Sequence, residues 1–221
     1  MPSFSSRNKQ ISIEQFLPHG AGPHPAVIVV HGLRGAQTPV EQYAPLLTRF
    51  GYAVFVLKYF ESTESARPSW PEIQQHFTVW LDVLSDAVTW AGQQPGIDVE
   101  RIGLLGVSLG AFLSLSLASV DARIAAVVDL FGGMPDFFAE KATRMPPVLI
   151  IHGESDELVP LSDARKVEAL MRRLGAPCES RIYSGHGHIL AGTAAWDAAQ
   201  RIYRFLESNL KHSVKAASQL Q

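Results

Sequence analysis

Residues 104–112 read LLGVSLGAF, with Ser108 flanked two positions away on each side by glycine. An apolar run from Ile102 to Val107 precedes the serine, and an apolar stretch, AFLSLSLASV at 111–120, follows it. A short, continuous hydrophobic run next to a turn fits a strand covered on both faces, as in a parallel sheet. Passing from such a strand straight into a helix requires a sharp reversal. Glycines at 106 and 110 remove the side chains that would collide across it. The G-x-S-x-G spacing is then the pattern of a nucleophile elbow, where a strained backbone presents the serine at a strand exit. The motif alone is weak, and its strand-to-helix setting carries the reading. The competing reading is a close strand–helix approach with Ser108 as an ordinary helix cap.

Outward from the elbow the same alternation repeats. Ala26 to Val30, Ala53 to Leu57, Ala125 to Leu130 and Val148 to Ile151 are further apolar runs of strand length. Glu179 to Tyr183 reads as a more polar strand near an edge, and Ile11 to Phe16 as one more ahead of the first parallel strand. The spacing predicts helices over Val40 to Phe50, Phe77 to Gln93, Leu109 to Val120, Leu161 to Leu174 and Ala194 to Leu210. In the second of these, Phe77, Leu81, Leu84, Val88 and Ala91 recur at helical intervals, and the "GAP" at 175–177 stops the fourth. The expectation is one α/β domain over 1–221: a mostly parallel central sheet with helices on both faces. Its core should run from about 26 to 210, with an N-terminal extension at 1–25 and a C-terminal tail at 211–221. The irregular segments 59–75 and 131–145 are candidate pocket walls, since sites in open α/β sheets form at the carboxyl ends of strands. The second has room for a short loop but not for a large cap domain.

The 221 residues are 47% hydrophobic and 18% charged, enough to bury a full core. A net charge of −2 gives no electrostatic case for nucleic acid or an anionic membrane surface. The lone Cys178 excludes an internal disulfide and a cysteine-based metal cluster, and we expect it to pack as a small hydrophobe. With no secretory signal and no stretch long enough to span a bilayer, the expected setting is the cytoplasm. Neither G-x-G-x-x-G nor G-x-x-x-x-G-K-[ST] occurs, which argues against dinucleotide or nucleoside-triphosphate binding.

A serine hydroxyl attacks only when a base takes its proton, and histidine suits that task near neutral pH. His186 and His188, in "YSGHGHIL" after the last strand, are both candidates. A third group must orient the imidazole. Asp156, in "IIHGESDELVP" after another strand, is available, with Asp129 at the end of "AAVVDL" as its rival. Ser108, Asp156 and a later histidine stand in the chain order used by α/β-hydrolases.

These segments together resemble the dienelactone hydrolase family of the α/β-hydrolase superfamily. The similarity runs from about Ala26 to Leu210, on "VIVVHGLRG", "GYAVFVLKYF", "RIGLLGVSLGA", "VVDLFGG", "PPVLIIHGESDELVP" and "YSGHGHIL". It implies an α/β-hydrolase fold and a catalytic set of Ser108, Asp156 and His188. Family members end the last loop with a pattern like Y-P-G-A-G-H-G-F, so His188 falls on the catalytic histidine and His186 on the alanine. Asp129 then caps the turn after its strand, and His31 and His152 bond nearby loop backbone. The backbone N–H groups of Leu33 and Leu109 fall where an oxyanion hole is expected. Arg34 either meets an acidic substrate group or faces water, and Phe60, Trp70 and Phe131 are candidate pocket residues. Two departures set the chain apart from dienelactone hydrolases proper, which carry a cysteine at the elbow and a glutamate in the first βα loop. Here those positions hold Ser108 and Gly32, which points to a serine esterase acting on small-molecule esters, lactones or thioesters without a cofactor. The rival classes are a metal-dependent hydrolase using His186 and His188 with Asp156 as ligands, and a non-catalytic α/β-hydrolase-like binding protein.

Overall fold

The computed structural model describes residues 1–36 and 44–211. Eight strands form one sheet: β1 (Ser3–Ser6), β2 (Lys9–Phe16), β3 (His24–Val30), β4 (Ala53–Leu57), β5 (Ile97–Val107), β6 (Ile124–Leu130), β7 (Val148–Gly153) and β8 (Cys178–Tyr183). Their spatial order is β1-β2-β4-β3-β5-β6-β7-β8. The β1–β2 and β2–β4 pairs are antiparallel, and every later pair is parallel. Five α-helices are described: α1 (Trp70–Gly92), α2 (Leu109–Val120), α3 (Asp136–Lys141), α4 (Leu161–Leu174) and α5 (Gly192–Leu206).

The strands are buried on both faces, which explains their continuous hydrophobicity. Along β3, Ala26, Ile28 and Val30 join the core beneath α1, α2 and α4, while Val27 and Val29 join the core beneath α5. This is the α/β-hydrolase fold, and no cap domain stands among the described residues. Between β6 and β7 there is only the short helix α3.

The sheet begins earlier than the expected core at Ala26. Ile11 and Ile13 of β2 are fully buried, so the segment ahead of β3 is part of the sheet. Helix α1 also begins earlier than the apolar periodicity predicts, inside the segment 59–75. Ser69 caps it in a capping box with Glu72, whose carboxylate accepts from the Ser69 backbone N–H at 2.7 Å, and Pro71 sits in the first turn. Of the helix predicted over Val40 to Phe50, residues 44–50 form a 3-10 helix, and 40–43 lie outside the described residues. The tail beyond Lys211 lies outside them too, after a terminal turn of wide, π-type helix at Glu207–Lys211.

Candidate active site

The loops leaving β3, β5, β7 and β8 meet at the carboxyl edge of the sheet and carry Gly32, Ser108, Asp156 and His188. Ser108 joins β5 to α2 with φ 53° and ψ −118°, a conformation that costs about 1–3 kcal/mol and persists only where its surroundings enforce it. The enforcement is visible. The Ser108 N–H donates to the Leu130 carbonyl at 2.8 Å, and the Ser108 carbonyl accepts from the N–H groups of Ala111 and Phe112. A Cβ on Gly106 would lie 2.5 Å from Ala111 Cα, and one on Gly110 would lie 2.0 Å from the Val30 carbonyl oxygen. The two glycines therefore let strand, turn and helix close on one another, Gly110 by direct approach to β3.

His188 connects serine and acid. Its Nε2 lies 3.0 Å from Ser108 Oγ, and its Nδ1 lies 2.8 Å from Asp156 Oδ2. A ring nitrogen facing a carboxylate carries the proton, which leaves the Nε2 lone pair facing the serine hydroxyl. The Asp156 side chain is wholly buried, and its Oδ1 accepts from the N–H groups of Leu158 (2.9 Å) and Val159 (3.0 Å). His186 turns elsewhere. Its Nδ1 lies 3.0 Å from the Ser184 carbonyl, and its ring packs edge-on to Tyr183.

The histidine loop is seated by backbone packing that spacing alone does not reveal. The histidine loop lies flat on the end of β7. The Ser155 N–H donates to the His186 carbonyl at 2.9 Å, and a Cβ on Gly153 would sit 2.1 Å from the Gly187 carbonyl oxygen. The "HG" after the β7 apolar run was the available signal for this close approach.

Leu109 opens α2, so its N–H has no acceptor within the helix, and the helix dipole points its positive end at the serine. Leu33 lies within a turn closed by the Gly35 N–H on the Gly32 carbonyl. That turn crowds the serine, since a Cβ on Gly32 would be 3.2 Å from Ser108 Cβ. Arg34, next in the turn, is exposed and forms no ion pair with any described residue.

The pocket expectations divide. Phe131 reaches the site: its ring centroid lies 5.6 Å from that of His188, on a backbone with φ 56°. Phe60 is 6% exposed. It packs in an aromatic cluster with His31, Tyr59 and Trp80 beneath the first loop. Trp70 is 70% exposed at the first turn of α1. Cys178 is also exposed, at the start of the edge strand β8, and does not pack as a core hydrophobe.

The remaining polar residues bond local backbone. Asp129 Oδ1 accepts from the Gly132 N–H at 2.9 Å, and complete burial raises its carboxyl to a pKa of about 7. His31 Nδ1 lies 2.9 Å from the Gly32 carbonyl, its ring stacks on Tyr59, and burial lowers its pKa to about 4. Among the described residues no three His, Cys, Asp or Glu side chains gather so as to hold a metal. No described helix is long and apolar enough to cross a membrane. An open depression of about 590 Å³, lined by Val88, Val99, Ile102 and Arg123 among others, lies at the opposite end of the strands.

Residues 13–207 match the dienelactone hydrolase family. The chain belongs to that family. Among curated relatives, it is 35% identical over 126 residues to acyl-coenzyme A thioesterase 5 of Mus musculus, covering 57% of this chain and 28% of that protein. It is 29% identical over 151 residues to acyl-coenzyme A thioesterase 1 of the same species, covering 67% and 34%. The chain thus spans about a third of the length of these relatives. Among solved structures, a dienelactone hydrolase-like promiscuous phosphotriesterase from metagenomic libraries superposes with a TM-score of 0.83 at 19% identity, covering 94% of this chain and 96% of that one. Esterase PE8 superposes with a TM-score of 0.73 at 17% identity, covering 88% and 99%. At such identities the structural likenesses speak for the fold.

Proposed function

We propose that this dienelactone hydrolase family member is a serine hydrolase of small-molecule carboxylic esters and thioesters. Ser108 Oγ attacks the carbonyl carbon while His188 Nε2 takes its proton, and Asp156 orients the ring and stabilises the imidazolium that forms. The N–H groups of Leu33 and Leu109 receive the tetrahedral oxyanion. His188 then protonates the leaving alkoxide or thiolate. Water attacks the acyl-enzyme by the same route and releases the acid and free Ser108.

The observation that supports this reading most strongly is the unbroken hydrogen-bonded series Ser108 Oγ, His188 Nε2, His188 Nδ1, Asp156 Oδ2, at 3.0 and 2.8 Å. Three loops far apart in sequence converge on it, and a strained serine backbone is maintained at its head. The family match and the thioesterase names of the curated relatives favour acyl transfer to water, with thioesters beside oxygen esters. A serine at the elbow and glycine at position 32 weigh against the dienelactone reaction as the principal one.

The test is a series of nitrophenyl esters of increasing acyl length, with a thioester and a dienelactone included, assayed on wild type and Ser108→Ala. The substitution should lower kcat by about a millionfold on every substrate that wild type turns over. Equal rates in the two proteins would remove Ser108 from the mechanism. A rate that a chelator abolishes in wild type would favour the metal-dependent class instead.

A further inference from the structure

His152, the penultimate residue of β7, bonds loop backbone as the sequence suggested, but the loop it bonds is the one that carries the acid. Its ring is fully buried. Its Nε2 lies 2.9 Å from the Val159 carbonyl oxygen and 3.5 Å from Asp156 Oδ2. An Nε2 facing a carbonyl must carry the proton, so this N–H donates to Val159 and leans toward the carboxylate as well. Val159 is therefore held at both of its backbone polar groups, its carbonyl by His152 and its N–H by Asp156 Oδ1. Among the described residues, His152 and His188 are the only basic side chains within 4.0 Å of the Asp156 carboxylate. They approach the same oxygen, Oδ2.

This arrangement carries a cost that a purely structural residue would not need to bear. The other ring nitrogen, Nδ1, is buried with no hydrogen-bond partner among the described residues. Leaving a buried polar atom unpaired destabilises a fold by about 1–3 kcal/mol, and an apolar side chain of similar volume would avoid that. What the imidazole supplies in return is a donor at Nε2, at the one place where the turn of Asp156 can be tied to the rigid end of β7.

We propose that His152 is a positioning residue for the acid. By holding the Val159 carbonyl, it fixes the turn whose amides set the rotation of the Asp156 carboxylate, and so directs Oδ2 at His188 Nδ1. It touches neither substrate nor Ser108. The proposal rests on the catalytic roles proposed above for Ser108, His188 and Asp156.

The test compares His152→Leu, His152→Gln and His152→Asn with wild type, on a short nitrophenyl ester and by proton NMR. Gln places its amide nitrogen near the position of Nε2, and Asn places its own near Nδ1. In His152→Leu, kcat should fall about 10- to 100-fold, by analogy with the loss of a residue that orients a metal-binding side chain from behind, with KM within about twofold. His152→Gln should recover most of the lost kcat and His152→Asn should not. The low-field resonance of the His188 Nδ1 proton should shift or vanish in Leu and Asn and persist in Gln. Where the Leu variant does not fold, the Gln–Asn pair decides: equal kcat in the two would overturn the proposal, as would a folded Leu variant with wild-type kcat. Loss of activity in Ser108→Ala is read separately, so failure of the catalytic assignment is distinguishable from failure of this one.

Discussion

Gly153→Ala perturbs the candidate site without touching any residue proposed to act in it. The added Cβ would lie 2.1 Å from the Gly187 carbonyl oxygen and 2.4 Å from that of His186. Real Cβ atoms essentially never approach closer than 3.0 Å, so the histidine loop must retreat by about 0.9 Å. Gly187 adjoins His188, whose Nε2 now lies 3.0 Å from Ser108 Oγ. A retreat of that size carries the pair beyond hydrogen-bonding distance. Misplacing a reacting group by about 1 Å costs on the order of a hundredfold in rate, or about 2.7 kcal/mol of transition-state stabilisation. Overpacking also destabilises the fold by about 1–3 kcal/mol, so activity must be read well below the melting temperature. Gly175→Ala serves as the control. Its φ of +62° makes alanine strained there, at about 1–2 kcal/mol, yet a Cβ meets open space. The assay is kcat on a short nitrophenyl ester beside a thermal melt for both variants. The reasoning predicts a hundredfold loss in Gly153→Ala and wild-type kcat in Gly175→Ala. A folded Gly153→Ala protein with kcat within threefold of wild type would refute it.

Two further outcomes follow from the fold. The Asp129 carboxyl titrates near 7 in the folded chain, because burial penalises its charge, and near 3.9 when unfolded. Between those values the folded state holds the extra proton, so the contribution of Asp129 is full below about pH 4, falls as pH rises to about 7, and is flat above that. Urea unfolding at pH 5, 6, 7 and 8 should therefore show wild type losing stability relative to Asp129→Asn up to about pH 7. Parallel pH profiles for the two proteins would exclude that titration. Glu72→Ala removes the reciprocal half of the α1 capping box and should lower stability by about 1 kcal/mol with kcat unchanged. A melting temperature equal to that of wild type would show that the Ser69 cap alone suffices.

How far these features were legible depended on whether their cause was local. The elbow was readable because apolar runs, two glycines and a serine are contiguous, and the alternation around them fixed the parallel sheet. The polar edge strand β8 was visible for the same reason. Strand β1, four residues of SFSS, carries too little pattern to be read and exists because β2 pairs with it. The start of α1 is marked by Ser69, Pro71 and Glu72, whereas the apolar spacing begins only at Phe77. His186 and His188 share one loop, so spacing left both open. The resemblance favours His188, and it is the His188 ring that lies within hydrogen-bonding distance of both Ser108 and Asp156. Phe60 and Phe131 looked alike in sequence. Only their neighbours separate them, His31, Tyr59 and Trp80 for one and His188 for the other. The second imidazole behind Asp156 was seen only as a loop-bonding residue, because the identity of that loop's passenger is a matter of three-dimensional contact.

The most direct test of the central claim, that Ser108 is the nucleophile His188 activates, is stoichiometric labelling with a fluorophosphonate followed by peptide mass mapping. One phosphonyl group per chain should appear on the peptide containing Ser108 in wild type, form far more slowly in His188→Ala, and be absent in Ser108→Ala. An adduct on another residue, or equally fast labelling of the His188→Ala protein, would contradict it.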